Sequence, residues 1–392
     1  MRHLKLKALA GLLVLFIGVT SFTPSIPSEE SKTWEASDKA KKFVKETIVL
    51  DWYAPPFGVG WDKDSQLHTY MERAIKAGIT GASITISPTY YTWEQHQKEH
   101  AKWRSTFVQK PEHFIFVHST DDIKRAHRDG KYAVLWNNQT STIIDGDLTK
   151  VATLREMGLA SMQIVYNGTY RAGDGCISYL HGEDRGLTDW GKKLIDEMVT
   201  QGIVVDLSHN GRNTCADIIT YMNKKHPGVP VIYTHSVPKG LYKDGPNATE
   251  TGCYRNITDE QAIAAAKTGG VVSPTFTEWM MDGIWPDDIT PKQCADMVDY
   301  YAKLIGVDHV GIASDDMFIL SLVVAFAEAN PDNYEDHGYM MNAFDKGANG
   351  CGEFAKILPA VTDELWKMGY SDEDIAKFYG GNIMRVYDQV WK

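Results

Sequence analysis

The chain has 392 residues, with 40 Lys and Arg against 51 Asp and Glu, a formal net charge of −11, 43% hydrophobic and 23% charged residues. That balance excludes a disordered tail protein, a collagen-like rod and a disulfide-dense miniprotein. It also argues against nucleic acid as a partner, because polyphosphate binding asks for clustered Lys and Arg.

The N-terminus reads as an export signal. Arg2, Lys5 and Lys7 precede an apolar run over 8–22, short of the roughly 20 residues of a membrane span, and a Pro/Ser-rich stretch follows. Residues 1–30 are therefore expected to be a secretory signal peptide with a short linker, placing the protein in the periplasm or outside the cell. Residues 31–392 are expected to form one domain with no further membrane span. Five cysteines (Cys176, Cys215, Cys253, Cys294 and Cys351) contain no CxxC pair. A Cys-based zinc site is not expected, and the spacing leaves open whether any of them pair.

Eight short runs rich in apolar and β-branched residues follow: Thr47–Trp52, Gly81–Ser87, Tyr132–Asn138, Ser161–Tyr166, Ile203–His209, Pro230–Ser236, Gly270–Phe276 and His309–Asp315. They are nearly continuous rather than alternating, as suits parallel strands buried on both faces. Helical patterns lie between them. Leu148, Val151, Leu154 and Met157 share one spacing, and Leu194, Ile195 and Met198 another. Thr258 with Gln261 is a capping box, Thr290–Pro291 a helix start, and Gly158, Gly202, Gly269 and Gly306 stand where C-cap glycines belong. Eight strands alternating with helices predict a (β/α)8 barrel. A doubly wound sheet would want a Gly-rich phosphate loop, and neither GxGxxG nor GxxxxGK[ST] occurs.

Barrel active sites form at the C-terminal ends of the strands. There the fifth run ends in Asp206-Leu207-Ser208-His209, the sixth in Thr234-His235-Ser236 and the eighth in Ser314-Asp315-Asp316. Two imidazoles on neighbouring strands can hold a zinc-type ion, and a carboxylate across the mouth can move a proton. The remaining histidines, His96 and His100 among them, are expected at the surface or in packing. So are most of the tryptophans, although Trp52, Trp136 and Trp279 stand near strand ends.

VDLSH (205–209), THS (234–236), CYRNITDEQ (253–261), GVDHVGIASDD (306–316) and GGNIMRV (380–386) together resemble the membrane (renal) dipeptidase family, peptidase family M19. The resemblance runs from about residue 45 to the end. It implies a (β/α)8 barrel of the amidohydrolase type and a hydrolase of small dipeptides that carries two zinc ions. Carried over residue by residue, it implies His209 and His235 as metal ligands, Asp315 as the catalytic carboxylate, and Arg255 with Asn256 as the grip on the substrate carboxylate. It also implies possible homodimerisation.

The departures are specific. Tyr53 stands where the family has the first-strand histidine and Pro55 where it has the aspartate of a His-x-Asp pair. Gln139 replaces the bridging glutamate, and Tyr166 replaces the histidine that polarises the substrate carbonyl. A neutral amide cannot offset the repulsion of two dications. The expectation is therefore at most one zinc or other divalent ion on His209 and His235, with Gln139 left to the substrate. Asp315, Tyr166 and Tyr53 are the candidate catalytic groups of an exported dipeptidase-like hydrolase. The alternative is different chemistry, or binding without turnover, in a metal-free pocket that uses Tyr53, Tyr166 and Arg255.

Overall fold

The computed structural model describes residues 34–54, 74–87, 89–242, 254–277, 280–281, 289–315 and 354–391. The leader, Pro55, Trp279, the acidic run 282–288, Asp316, the segment 334–351, Cys253 and Cys351 lie outside them.

Eight strands form one sheet: β1 Leu50–Ala54, β2 Gly81–Thr85, β3 Phe114–Phe116, β4 Tyr132–Asn138, β5 Leu159–Gln163, β6 Val204–Asp206, β7 Val231–Ser236 and β8 Val272–Pro274. Every pairing is parallel, in the order β1-β2-β4-β5-β6-β7-β8. The circle is completed by the extended segment 310–313. It bridges Val272 of β8 at Val310 and Thr275, just past that strand, at Ala313, and it meets β1 through Trp52 N donating to Ile312 O (3.2 Å) and Asp315 N donating to Tyr53 O (2.9 Å). The architecture is a (β/α)8 barrel.

Two details differ from the sequence reading. The eighth run is a bridging stave rather than a regular strand. The three-residue β3, lying beside the first half of β4, was not anticipated, because Phe-Ile-Phe is too short a run to stand out from its flanks.

The helices start and stop where their ends are chemically marked. Thr258 and Gln261 cap each other at the helix Asp259–Lys267, and Thr290 and Gln293 do so at Pro291–Ile305, with Pro291 in the first turn. Gly202 closes the helix Asp189–Gln201 at φ 76°, a left-handed conformation that favours glycine.

Alternate strand residues join different apolar clusters. Leu50, Trp52, Ala133, Leu135, Val204, Ile232 and Val271 pack with Ile383, Val386 and Tyr387 of the C-terminal helix Asn382–Val390. Val134, Trp136, Met162, Val205, Tyr233 and Val272 join the larger cluster with the surrounding helices. Trp52 Nε1 donates to Tyr387 Oη at 2.6 Å, so the last helix is bonded into the barrel's inner layer. Trp136 stacks on His96 and lies tilted at 42° beside His100; both histidines are buried, in keeping with their expected place in packing. Cys176, Cys215 and Cys294 are buried, and no two of them are joined in a disulfide. Among the described residues no helix is long and apolar enough to cross a membrane.

Candidate active site

Toward the C-terminal ends of the strands the inner layer turns polar. Thr85 Oγ1 donates to Asn137 Oδ1 (2.6 Å), and Asn137 Nδ2 donates to Ser83 Oγ (2.9 Å). Asp206, at the end of β6, accepts from Thr234 Oγ1 (2.6 Å), Gln163 Nε2 (3.1 Å) and the amides of Ser208 (3.0 Å) and Thr234 (3.2 Å). This buried carboxylate ties β5, β6 and β7 together just beneath the two histidines.

His209 follows β6 and His235 lies in β7. Their Nε2 atoms are 3.0 Å apart, and both side chains are buried. The other nitrogen of each ring is held from behind. His209 Nδ1 lies 2.6 Å from Asn167 Oδ1, which also accepts from Cys176 Sγ (3.4 Å). His235 Nδ1 lies 2.8 Å from Thr234 Oγ1. The Thr234 hydroxyl spends its own hydrogen on Asp206, so its oxygen must accept from His235. An amide oxygen can only accept, so His209 must donate as well. Both rings are thereby set as Nδ1–H tautomers, with two Nε2 lone pairs facing each other. Burial, the positive charge of Arg255 and, for His209, the neighbouring imidazole hold both histidines well below the ordinary histidine range. They are neutral at physiological pH, the form in which imidazole acts as a ligand.

Tyrosines flank the pair. The Tyr53 ring lies flat on His235 at 3.8 Å and 7°, and the Tyr166 ring on His209 at 4.1 Å and 26°. Tyr53 Oη shares a hydrogen bond with Thr85 Oγ1 (3.0 Å). Arg255 is buried. Its Nη1 donates to Ser236 Oγ (3.1 Å), its Nη2 donates to His235 O (2.9 Å), and its Nε has no hydrogen-bond partner among the described residues. Asn256 turns its amide to Met280 O (2.8 Å), and its Oδ1 has no hydrogen-bond partner among the described residues. Gln139 is buried immediately after β4.

Asp315 stands at the end of the last stave. Desolvation raises its carboxyl to about 7, against the opposing pull of Arg255 and with a further rise from Asp51. Of the described residues other than glycine, only Asp145, His209 and Asp315 have positive φ. Two of the three are candidate site residues, at φ 67° and 53°. Such conformations persist where the surroundings over-determine them, and they gather at functional sites.

The structure thus brings His209, His235, Tyr53, Tyr166 and Arg255 into direct contact or close range, with Asp315 inside the electrostatic reach of Arg255. Sequence reasoning missed the residues behind them: Asn167, Cys176, Thr234, Asp206 and Asp51. Gly175 was missed too. A Cβ there would lie 1.8 Å from Tyr166 O, so only glycine lets the two chain segments meet. For Thr234 and Asp206 the signal was available, since each sits one to three residues from a histidine already singled out.

The family resemblance implies two zinc ions. A two-ion site does not fit. Tyr53 covers a face of His235 where a histidine ligand would be needed, and Gln139 supplies no charge. Among the described residues no three His, Cys, Asp or Glu side chains converge as metal ligands. One ion does fit the paired Nε2 atoms, because each ring has the second hydrogen bond that orients a metal-binding imidazole.

Comparison with known proteins agrees with this architecture. A family model described as membrane dipeptidase (peptidase family M19) matches residues 39–319. The chain is 23% identical over 303 residues to dipeptidase tcpJ of Claviceps purpurea, covering 74% of this chain and 61% of that protein. It therefore spans about three fifths of that curated relative's length. Among solved structures it is similar to an amidohydrolase from Pseudomonas aeruginosa (TM-score 0.72, 24% identity, 90% of this chain and 99% of that one). It is also similar to dipeptidase AC, a metallopeptidase of family M19 (TM-score 0.65, 18% identity, 88% and 99%).

Proposed function

The chain belongs to the membrane dipeptidase family, peptidase family M19, and on that premise we propose that it is a hydrolase of dipeptides or small amino-acid-derived amides that uses at most one divalent ion. The observation that carries this reading is the pair of Nε2 atoms 3.0 Å apart, both presented as lone pairs. Two bare lone pairs at that distance repel, and burial opposes adding a proton to either ring. A cation between them relieves both problems.

His209 and His235 would hold the ion, which when bound supplies Lewis-acid polarisation and lowers the pKa of water. Everything else is done by the chain's own groups. The positive charge of Arg255 favours a substrate carboxylate beside it. Asp315, with a carboxyl near 7, is poised to take a proton as water attacks the amide carbon. It returns that proton to the amine nitrogen as the C–N bond breaks. The flat tyrosine rings fix both imidazole planes.

The test is metal analysis of the purified protein together with dipeptide hydrolysis assayed with added Zn²⁺, Mn²⁺ and Co²⁺. Metal uptake with metal-dependent hydrolysis is expected. No uptake and no hydrolysis under any of the three ions would sink the reading.

A second reading rests on the same stacking. Tyr53 and Tyr166 lie where the family places metal-site and carbonyl-polarising histidines, so a metal-free pocket of different chemistry would use their hydroxyls with Arg255. It expects ligand-induced thermal stabilisation that a chelator does not abolish. The proposed setting is outside the cytoplasm, on the strength of the leader's composition. N-terminal sequencing of the mature protein tests that by finding, or not finding, cleavage near residue 30.

A further inference from the structure

Asp51 lies in β1, 1% exposed, and no basic side chain hydrogen-bonds it among the described residues. Its carboxylate instead gathers neutral donors from two elements. Oδ1 accepts from the amides of Ser314 (2.9 Å) and Tyr53 (3.2 Å), and Oδ2 accepts from Ser314 Oγ (2.5 Å). One residue further on, Asp315 N donates to Tyr53 O (2.9 Å). The first and last staves of the barrel are therefore stitched together immediately before the residue that carries the proton.

That stitching answers a question the backbone raises. Asp315 adopts φ 53° although it is not glycine, a left-handed conformation that a side-chain-bearing residue keeps where its surroundings hold it there. The donors of Ser314 and Asp315 impose it by facing β1. A buried carboxylate is an expensive way to hold three donors unless its charge matters as well.

We infer that Asp51 is a positioning residue of this site: it clamps Ser314 to β1 and so fixes the turn that presents the Asp315 carboxyl group. The inference rests on the reading of Asp315 as the proton carrier. The groups facing the pair are the Tyr53 amide from β1, Ser314 from the last stave, and Arg255, which acts on Asp315 from the 254–256 turn. Asp51 and Asp315 lie within electrostatic range of each other. A negative neighbour disfavours ionisation of Asp315, so removing it lowers the pH at which Asp315 titrates.

The experiment compares the metal-loaded wild type with Asp51→Asn, Asp315→Asn and the double variant. In Asp51→Asn, kcat for a dipeptide is expected to fall at least tenfold with KM within about threefold, and the acidic limb of the pH–kcat profile to move to lower pH. A loss equal at every pH, with the limb unmoved, would mean a merely structural role and overturn the inference. So would unchanged kinetics.

A second readout needs no turnover. In a double-mutant cycle of urea unfolding, the double variant's unfolding constant is expected to depart at least threefold from the product of the single effects. Strictly additive effects overturn the clamp. Should the wild type hydrolyse no dipeptide, the hydrolase reading fails and the unfolding cycle alone decides for or against the clamp.

Discussion

Thr234→Val tests the arrangement behind the histidines with almost no change of shape. In the native protein the Thr234 hydroxyl gives its hydrogen to Asp206 at 2.6 Å and receives that of His235 at 2.8 Å. Valine removes both bonds. The hydrogen bond to a charged acceptor is worth about 1.5–3 kcal/mol. Asp206 keeps Gln163 Nε2 and two backbone amides, so its charge stays compensated and the loss should lie toward the lower end of that range, about 2 kcal/mol. The chemical consequence is more specific. With nothing to hold its proton on Nδ1, His235 shifts to the Nε2–H tautomer and donates directly to His209, consuming the lone pair that would bind an ion. Affinity for Zn²⁺ should fall about 10–100-fold, the usual effect of losing such an outer partner, while Thr234→Ser stays near wild type. Urea unfolding and Zn²⁺ titration against a competing chelator measure the two effects separately. Wild-type stability together with wild-type Zn²⁺ affinity in Thr234→Val would refute the tautomer argument.

Gly175→Ala should destabilise the fold by about 3 kcal/mol, at the upper end for overpacking, because the new methyl meets Tyr166 O at 1.8 Å and Asn167 C at 2.3 Å. Activity should fall further than stability, since Asn167 carries His209; a fully active, stable variant in thermal melts and dipeptide assays would contradict this. Stability should decline below neutral pH. Burial lowers His96 to about 3 and His100 to about 4, and holds His209 and His235 well below 6.5. A histidine with a depressed folded-state value contributes stability above its unfolded value that is lost as pH falls. Asp51 and Asp315, raised to about 7, act oppositely, gaining stability as pH falls through 7. Near pH 5.5, four protons taken up on unfolding against two released leave a net uptake of two, a slope of about 2.7 kcal/mol per pH unit. Denaturant midpoints across pH 4.5–7 read it, and a flat profile would count against it. Tyr387→Phe strips the acceptor from buried Trp52 Nε1 and should cost about 1–3 kcal/mol in urea unfolding; no change would mean that water takes over the bond.

Much of the barrel was legible because buried parallel strands announce themselves as continuous apolar runs, and because helix ends carry their own chemistry, as at Thr258–Gln261 and Thr290–Pro291. β3 was not legible, since three residues cannot establish a period. The last stave was legible as a run but not as an irregular one. Its backbone turns at Asp315, and nothing in the letters ASDD encodes a positive φ. The histidine pair could be found from strand-end position. The groups that orient it could not, because Asn167 and Cys176 come from a loop and a short helix that periodicity does not connect to β6. Tyr53 and Tyr166 were noticed as replacements, but their role as flat covers on the imidazoles depends on ring geometry that only coordinates supply.

The seam between β1 and the last stave joins residues more than two hundred and fifty positions apart, Asp51 with Ser314 at |i−j| = 263. A nascent or truncated chain can build most of its wall and still lack the seat of Asp315. On the proposed reading, competence would arrive in one step, when the ring shuts. A clipped or half-assembled copy would be silent rather than partly active, and turnover itself would report that assembly is complete.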